Sequence, residues 1–138
     1  MKPALERRRK RPIPNVSSTL LEVMKILNKN NSITIKARNK GNRGLHKGLS
    51  KRRSLYVGVS KNGIHWQTLI NFGKIKKYIG TYSTEKEAAL TYDFYAFGVH
   101  GLKAKTNFKH AGEQIKNMIQ SFIDNDHKFD PSLFTVQY

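Results

Sequence analysis

The chain contains no cysteine, which excludes disulfide bonds and every zinc site built on thiolate ligands. Acidic residues are scarce as well, because 9 of them face 26 lysines and arginines, for a formal net charge of +17 over 138 residues. No apolar run approaches the ~20 residues of a membrane-spanning helix. So large a basic excess favours a polyanionic partner, with nucleic acid expected before an anionic membrane.

The residues that carry most enzyme chemistry are present but not grouped. Five histidines occur without metal-ligand spacing, and no Asp-rich or nucleophile motif accompanies them. These histidines are His46, His65, His100, His110 and His127. We therefore expect no enzyme, no cofactor, no metal site and no small-molecule substrate, and no membrane partner.

Residues 1–15 predict a basic arm interrupted by prolines. The run "RRRKRP" is typical of a nuclear import signal or of an arm that binds phosphates. An Arg-rich mitochondrial presequence is the weaker alternative, because Glu6, Pro12 and Pro14 would disrupt an amphipathic helix there. A nuclear location is therefore expected.

A helix is predicted over residues 16–31, capped by Ser17 or Ser18 and ended by Asn30 and Asn31. Its apolar face is predicted to consist of Leu20, Leu21, Met24 and Leu27.

Residues 32–53 predict a basic, glycine-containing linker, apart from a short strand in "SITIKA". From Lys36 to Arg53 there are eight lysines and arginines and no acidic residue, so this stretch repels itself and should be extended. We expect it to contact phosphates, with Arg52 and Arg53 next to the folded core. A solvated linker that contacts nothing is the alternative.

Three alternating runs rich in β-branched and aromatic residues follow from Ser54. Turn signals separate them, first at Asn62-Gly63 and then at Phe72-Gly73-Lys74. This spacing predicts an antiparallel meander of three strands.

Thr84 and Glu87 then have the spacing of a capping box at the start of a helix, and Gly101 is placed to end it. Small and apolar residues are predicted on one face of this helix, opposite a charged face: Ala88, Ala89, Tyr92, Ala96 and Val99. The fold class is therefore α+β, a three-stranded antiparallel sheet packed on one helix. Additional N-terminal and C-terminal helices flank it.

Residues 109–138 predict a second amphipathic helix and an apolar tail that add to the core. The apolar face of this helix is predicted to be Ile115, Met118, Ile119, Phe122 and Ile123.

Alternation along the middle strand separates two faces of the sheet. Trp66, Thr68 and Ile70 are expected against the helix, and the opposite face carries His65, Gln67, Leu69 and Asn71. A ribbon of this width fits the major groove of DNA, where the amides of Gln67 and Asn71 can pair with adenine. Phosphates would be held by Lys61, Lys74, Lys76 and Lys77. A polar face is also expected of any solvated sheet, so the pattern alone leaves this open.

The stretch from Ser54 to Phe108 resembles the Apetala-2/ethylene-response-factor (AP2/ERF) DNA-binding domain. The resemblance rests on "YVGV", a strand with Trp66, "YIGTY", "STEKEAALTYD" and "GLKAKTNF" in this order. It implies double-stranded DNA binding with the sheet in the major groove. The implied base and phosphate contacts are Val57, Ser60, Asn62, His65, Leu69, Asn71, Lys76, Tyr78 and Thr81, with Tyr92 on a phosphate. The implied core positions are Trp66, Ile70, Ile79, Ala89 and Ala96.

The sequence departs from the family where its plant members carry guanine-reading arginines. Val57, Ser60, Asn62 and Asn71 stand at those positions, and none can make the bidentate guanine contact of an arginine. A GC-rich preference is therefore not carried over. Either a more A·T-rich site is read through Gln67, Asn62 and Asn71, or binding has little sequence specificity.

Three functions remain open at this point. The first is a transcription-factor-like regulator that binds double-stranded DNA. The second is a non-catalytic accessory subunit of a chromatin or DNA-modifying complex, with protein partners on residues 17–28 and 112–123. The third is an RNA-binding or ribosome-associated protein, which the deep, narrow major groove of RNA disfavours.

Overall fold

The computed structural model describes residues 15–38 and 54–138. The basic arm, most of the predicted linker, and Arg52 and Arg53 lie outside the described residues. In chain order the elements are helix α1 (Val16–Lys29), strands β1 (Thr34–Ile35), β2 (Val59–Asn62), β3 (His65–Phe72) and β4 (Ile75–Tyr82), helix α2 (Glu85–His100), strand β5 (His110–Ala111) and helix α3 (Gly112–Asp124).

The predicted meander and its α+β class are confirmed, because β2, β3 and β4 form an antiparallel sheet in that order. The first strand is shorter than predicted and begins at Val59. The first turn is also shifted by one residue. Asn62 pairs with His65, so the two connecting residues are Gly63 and Ile64. Gly63 has φ +67°, and glycine at the first position of a two-residue hairpin loop suits a type II′ turn.

Helix α2 begins at the predicted cap. The Thr84 hydroxyl accepts a hydrogen bond from the Glu87 amide at 3.1 Å. A capping box would have the Glu87 carboxylate accept a hydrogen bond from the Thr84 backbone amide. In the structure it accepts one from the Ser83 hydroxyl instead, at 3.1 Å. The helix ends at Gly101, whose φ of +66° suits a residue without a side chain.

The charged face predicted for α2 is wrong, because the helix is buried on both sides. Ala88 and Ala89 pack towards the sheet, and the Thr68 hydroxyl donates to the Ala88 carbonyl oxygen at 2.8 Å. Leu90, Phe94 and Phe97 on other sides of the helix are fully buried in the main core. Helix α2 is therefore the central layer, between the sheet and a second layer of helices.

That second layer contains α1 and α3, which pack with α2 around one core. The cap of α1 is Asn15, whose Oδ1 accepts from the Ser18 amide, and not Ser17 or Ser18. The buried face of α1 is Leu20, Val23 and Leu27, whereas Leu21 is 51% exposed. The buried face is therefore turned about the helix axis from the predicted face. Leu20, Val23 and Leu27 are spaced by three and then four residues, which places them on one side of the helix.

The second amphipathic helix is confirmed as α3. Its residues Ile115, Met118, Ile119 and Phe122 are buried, and Ile123 remains 36% exposed. The tail contributes Phe129, which stacks on Phe94 with ring centroids 4.3 Å apart. No helix in the described ranges is long and apolar enough to cross a bilayer.

The short strand predicted in "SITIKA" is confirmed as β1, which pairs with β5. A separate, parallel bridge joins Ala37 and Thr106, and the Arg38 amide donates to the Thr106 carbonyl oxygen at 2.8 Å. Residues 34–38, within the stretch predicted as linker, thus lie against the segment that follows α2.

Candidate nucleic-acid interface

The meander has one face against α2 and one face that no described residue covers. Val59, Thr68 and Ile70 are buried towards α2, so their neighbours along each strand point the other way. We call this second surface the open face. The expected contact residues that it carries are Ser60, Asn62, His65, Gln67, Leu69, Asn71, Lys76, Tyr78 and Thr81.

A β-bulge in β4 determines which residues share the open face. Thr68 pairs with Gly80 and Leu69 pairs with Tyr78, so Ile79 is an extra residue in β4. Strict alternation would place Tyr78 and Thr81 on opposite faces. The bulge brings them to the same face, with their hydroxyl oxygens 2.6 Å apart.

The side-chain amides of Gln67 and Asn71 on the open face differ in their hydrogen bonding to neighbouring residues. The Gln67 side chain donates to the Ser60 hydroxyl at 2.9 Å and accepts from the Asn62 amide at 3.5 Å. Asn71 is exposed, and its amide has no hydrogen bond to another described residue. Asn71 is therefore free to contact a ligand, whereas Gln67 holds its neighbours in position.

A concavity of about 320 Å³ lies at the β2 side of the open face. Its lining includes Val57, Ser60, Leu69, Asn71, Lys76 and Tyr92.

The wall of this concavity is rigid at Val57. The Asn107 side chain accepts from the Val57 amide at 2.8 Å and donates to the Val57 carbonyl oxygen at 3.1 Å. The next residue, Gly58, has φ +80°, and a Cβ there would lie 2.1 Å from Cδ1 of Tyr92. Only glycine allows the chain to approach the tyrosine ring so closely.

Tyr92 lines the concavity, and its hydroxyl lies within the electrostatic influence of Arg38. Burial raises the pKa of Tyr92, and the nearby Arg38 guanidinium opposes that shift. The Tyr92 hydroxyl is therefore a neutral hydrogen-bond donor at pH 7. Arg38 fell in the predicted linker and was not among the predicted site residues. Its position depends on pairing with Thr106, which no local sequence signal indicates.

The predicted phosphate-binding lysines surround the sheet instead of sharing one face. Lys76 pairs with Asn71 on the open face, whereas Lys77 pairs with Ile70 on the helix side. Lys61 pairs with Trp66, and its ammonium lies 5.6 Å from the centroid of the Trp66 ring. Lys74 is exposed in the turn between β3 and β4.

A largely buried polar network is linked to Val57 in the concavity through Asn107. The Asp93 carboxylate accepts from the amides of Asn107 and Phe108 at 2.7 and 2.9 Å and contacts His110 Nε2 at 2.8 Å. His110 Nδ1 in turn lies 2.5 Å from the Tyr138 hydroxyl. Burial raises the pKa of Asp93, and the hydrogen bonds from His110 and the two amides oppose the shift.

The network explains a histidine that the sequence left unassigned. His110 is an interior hydrogen-bonding residue, and no group of three or more His, Asp and Glu residues in the described ranges could hold a metal ion.

Comparison with known proteins finds relatives for about half of the chain. No family model matches the chain. The AP2-like ethylene-responsive transcription factor PLT2 of Arabidopsis thaliana is 40% identical over 78 residues, which are 54% of this chain and 14% of that relative. The ethylene-responsive transcription factor WRI1 of Arabidopsis thaliana is 42% identical over 66 residues, 44% of this chain and 15% of that relative. The AP2-like ethylene-responsive transcription factor CRL5 of Oryza sativa subsp. japonica is 43% identical over 65 residues, which are 44% of this chain and 10% of that relative.

A three-stranded meander on a helix, with an open face, is the architecture that the motifs had indicated. About half of the chain is thus similar in sequence to AP2-like ethylene-responsive transcription factors, and its fold is consistent with an AP2/ERF-like domain. It spans between 10% and 15% of the length of the three relatives described above.

Proposed function

We propose that this chain binds double-stranded DNA with the open face of the meander in the major groove, and that it acts as a non-enzymatic transcriptional regulator in the nucleus. The relatives that are similar to about half of the chain are named transcription factors. The observation that carries the proposal is the open face itself. One side of the sheet is packed on α2, and the other presents a row of positioned polar side chains in a chain of net charge +17.

The chemistry of each side chain indicates whether it would contact a phosphate or a base. Lys76 and Tyr92 line the concavity, and the charge of Arg38 acts on the Tyr92 hydroxyl, so these three residues would contact phosphates and orient the sheet. Lys61, Lys74 and Lys77 extend this basic margin around the sheet. Base contacts would come from the open face, where the absence of arginine from β2 and β3 disfavours guanine as the principal base read.

A salt titration tests this proposal most directly. Fluorescence anisotropy with a labelled DNA duplex should show affinity falling by about 10³–10⁵-fold between 50 and 200 mM salt, as expected for 6–10 phosphate contacts. A double-stranded RNA of equal length is the matched control. It should bind more weakly, because its deep major groove does not admit the sheet. A flat salt profile with DNA, or tighter binding to RNA, would contradict the proposal.

One observation favours a second function, that of a DNA-binding subunit in a larger complex. Leu21, Ile26 and Ile123 are 51%, 45% and 36% exposed on α1 and α3, away from the sheet. Leu21 and Ile123 border an apolar groove of about 110 Å³ between these helices. If a protein partner docks there, Leu21→Glu should abolish its co-purification from the native source and leave the DNA affinity unchanged. Loss of both properties would contradict a separate docking surface.

A further inference from the structure

The concavity of the open face combines one free amide with aliphatic surface. Asn71 and Leu69 both line it and lie two residues apart on the same face of β3, so they are about 7 Å apart along the strand. Val57 adds a second aliphatic side chain to the lining. Because the major groove is about 12 Å wide, the side chains of Asn71 and Leu69 can reach the same groove edge together.

This combination matches the exposed edge of an A·T pair. Adenine presents an acceptor at N7 and a donor at N6, which an asparagine amide can pair with at the same time. Thymine presents a methyl group, which only an apolar side chain complements well. Guanine presents two acceptors and cytosine one donor, so neither gives the amide both of its partners.

The structure also distinguishes Asn71 from the other amide of the middle strand. Gln67 is hydrogen-bonded to Ser60 and to Asn62, so a base contact would compete with bonds that are already made. Asn71 has no such bond among the described residues, and Lys76 is paired directly opposite it. A phosphate held by Lys76 would therefore orient the base pair that Asn71 meets.

The frame around this pair of residues is fixed before DNA binds. The Leu69 amide donates to the Gly58 carbonyl oxygen at 2.8 Å, which joins β3 to the residues before β2. The backbone of Val57 is bonded at both polar groups to Asn107. The backbones of both aliphatic residues are therefore held in place where they line the concavity.

We infer that the concavity reads an A·T pair, with Asn71 on adenine and with Leu69 and Val57 on the thymine methyl group. This inference rests on the proposed DNA binding and adds the base pair that is read and the residues that read it.

The test uses the complete chain and duplexes enriched from a random library. The enriched site should contain at least one position with a strong A·T preference. At that position, deoxyuridine in place of thymidine removes only the methyl group, and affinity should fall about fourfold, the effect of one buried methyl-sized group. Replacement of the adenine by 7-deazaadenine removes the N7 acceptor. Affinity should then fall by about 5- to 150-fold, the range for loss of a good base contact.

Two variants assign the effects to residues. In Leu69→Ala the deoxyuridine penalty should decrease, with Val57 still present, while the 7-deazaadenine penalty remains. In Asn71→Ala the 7-deazaadenine penalty should disappear while the deoxyuridine penalty remains. Asn117→Ala is the matched control, because Asn117 is an exposed asparagine on α3. It should keep both penalties. Circular dichroism confirms that each variant is folded.

The outcomes separate this inference from the proposal beneath it. Tight, salt-dependent DNA binding without an enriched A·T position, or with equal affinity for the modified duplexes, overturns the inference and leaves the DNA-binding proposal standing. Penalties that persist unchanged in both variants also overturn it, since other residues must then read the pair. Absence of salt-dependent DNA binding refutes the proposed function itself. The unaltered chain with modified duplexes gives a result even if a variant fails to fold.

Discussion

Asn107 holds the backbone of Val57 at both of its polar groups, with bonds of 2.8 and 3.1 Å between residues 50 positions apart. The Asn107 amide is itself bonded to Asp93 at 2.7 Å in the interior. The wall of the concavity is therefore connected through one residue, Asn107, to a buried carboxylate on α2. The geometry of the candidate interface depends on an interior network as well as on the sheet.

Replacement of the carboxyl group at the centre of that network should be strongly destabilising. Asp93→Asn replaces one of the two carboxylate oxygens with an NH₂ donor, which must face either the Asn107 amide or the Phe108 amide and His110. We expect the free energy of unfolding to fall by about 3–5 kcal/mol, as when one partner of a buried pair is removed. Urea denaturation measures it.

The matched control for Asp93→Asn is Glu22→Gln. Glu22 and Lys25 form an ion pair of 3.8 Å on the surface, with both side chains mostly exposed. The control should cost less than about 1 kcal/mol. Similar losses in the two variants would show that the buried network contributes no more than a surface pair.

Gly58→Ala should damage both stability and DNA binding. Its φ of +80° disfavours any side chain by about 1–2 kcal/mol. The collision of the new Cβ with Tyr92 should add about 1–3 kcal/mol, as overpacking does. Gly63→Ala is the control, because its φ is +67° and no atom lies within 4 Å of the new Cβ. If both variants lose the same stability, the close contact with Tyr92 is not important. Urea denaturation and anisotropy measure the two effects.

Stability should decrease at alkaline pH partly through Tyr138. Burial, and to a smaller extent Asp93, raises the pKa of Tyr138 above its usual value of 10. The unfolded chain therefore loses this proton at a lower pH than the folded chain. The contribution is fully present below about pH 10 and is lost as the pH rises further. Tyr82, Tyr92 and Tyr95 are shifted in the same direction by burial.

Tyr138→Phe separates this tyrosine from the others. At pH 7 the variant should lose about 1 kcal/mol, the net value of the hydrogen bond to His110. Between pH 9 and 11 its stability should decline less steeply than that of the unaltered chain. Urea denaturation across this pH range gives both quantities, and parallel curves would exclude Tyr138 as a source of the decline.

Arg38→Ala should weaken DNA binding to a similar extent for every sequence and reduce the salt slope of log affinity by about 1. The reason is that the charge of Arg38 acts on the Tyr92 hydroxyl, for which a phosphate contact and no base contact is expected. Lys128→Ala is the control, since Lys128 is an exposed cation in the turn after α3. It should leave the slope unchanged. A loss confined to particular sequences would instead assign Arg38 a base contact.

Part of the candidate site could be predicted because strand alternation is local. The open-face positions of His65, Gln67, Leu69 and Asn71 follow from the period of two within β3. The hydrogen bond between Gln67 and Ser60 could not be predicted, because it depends on the register between β2 and β3. The shared face of Tyr78 and Thr81 depends on a bulge, which alternation cannot reveal.

The sequence by itself determined the basic charge, the meander, the start and end of α2, and the two flanking amphipathic helices. Each of these depends on neighbours within a few positions: turn glycines, a capping threonine, or apolar residues at helical spacing. Only the tertiary structure decided that α2 is buried on both sides and that the charge of Arg38 acts on Tyr92. The hydrogen bonds that connect Asp93, Asn107 and Val57 were also decided only by the tertiary structure. These contacts join residues tens of positions apart, and their free energy arises only when the whole core excludes water.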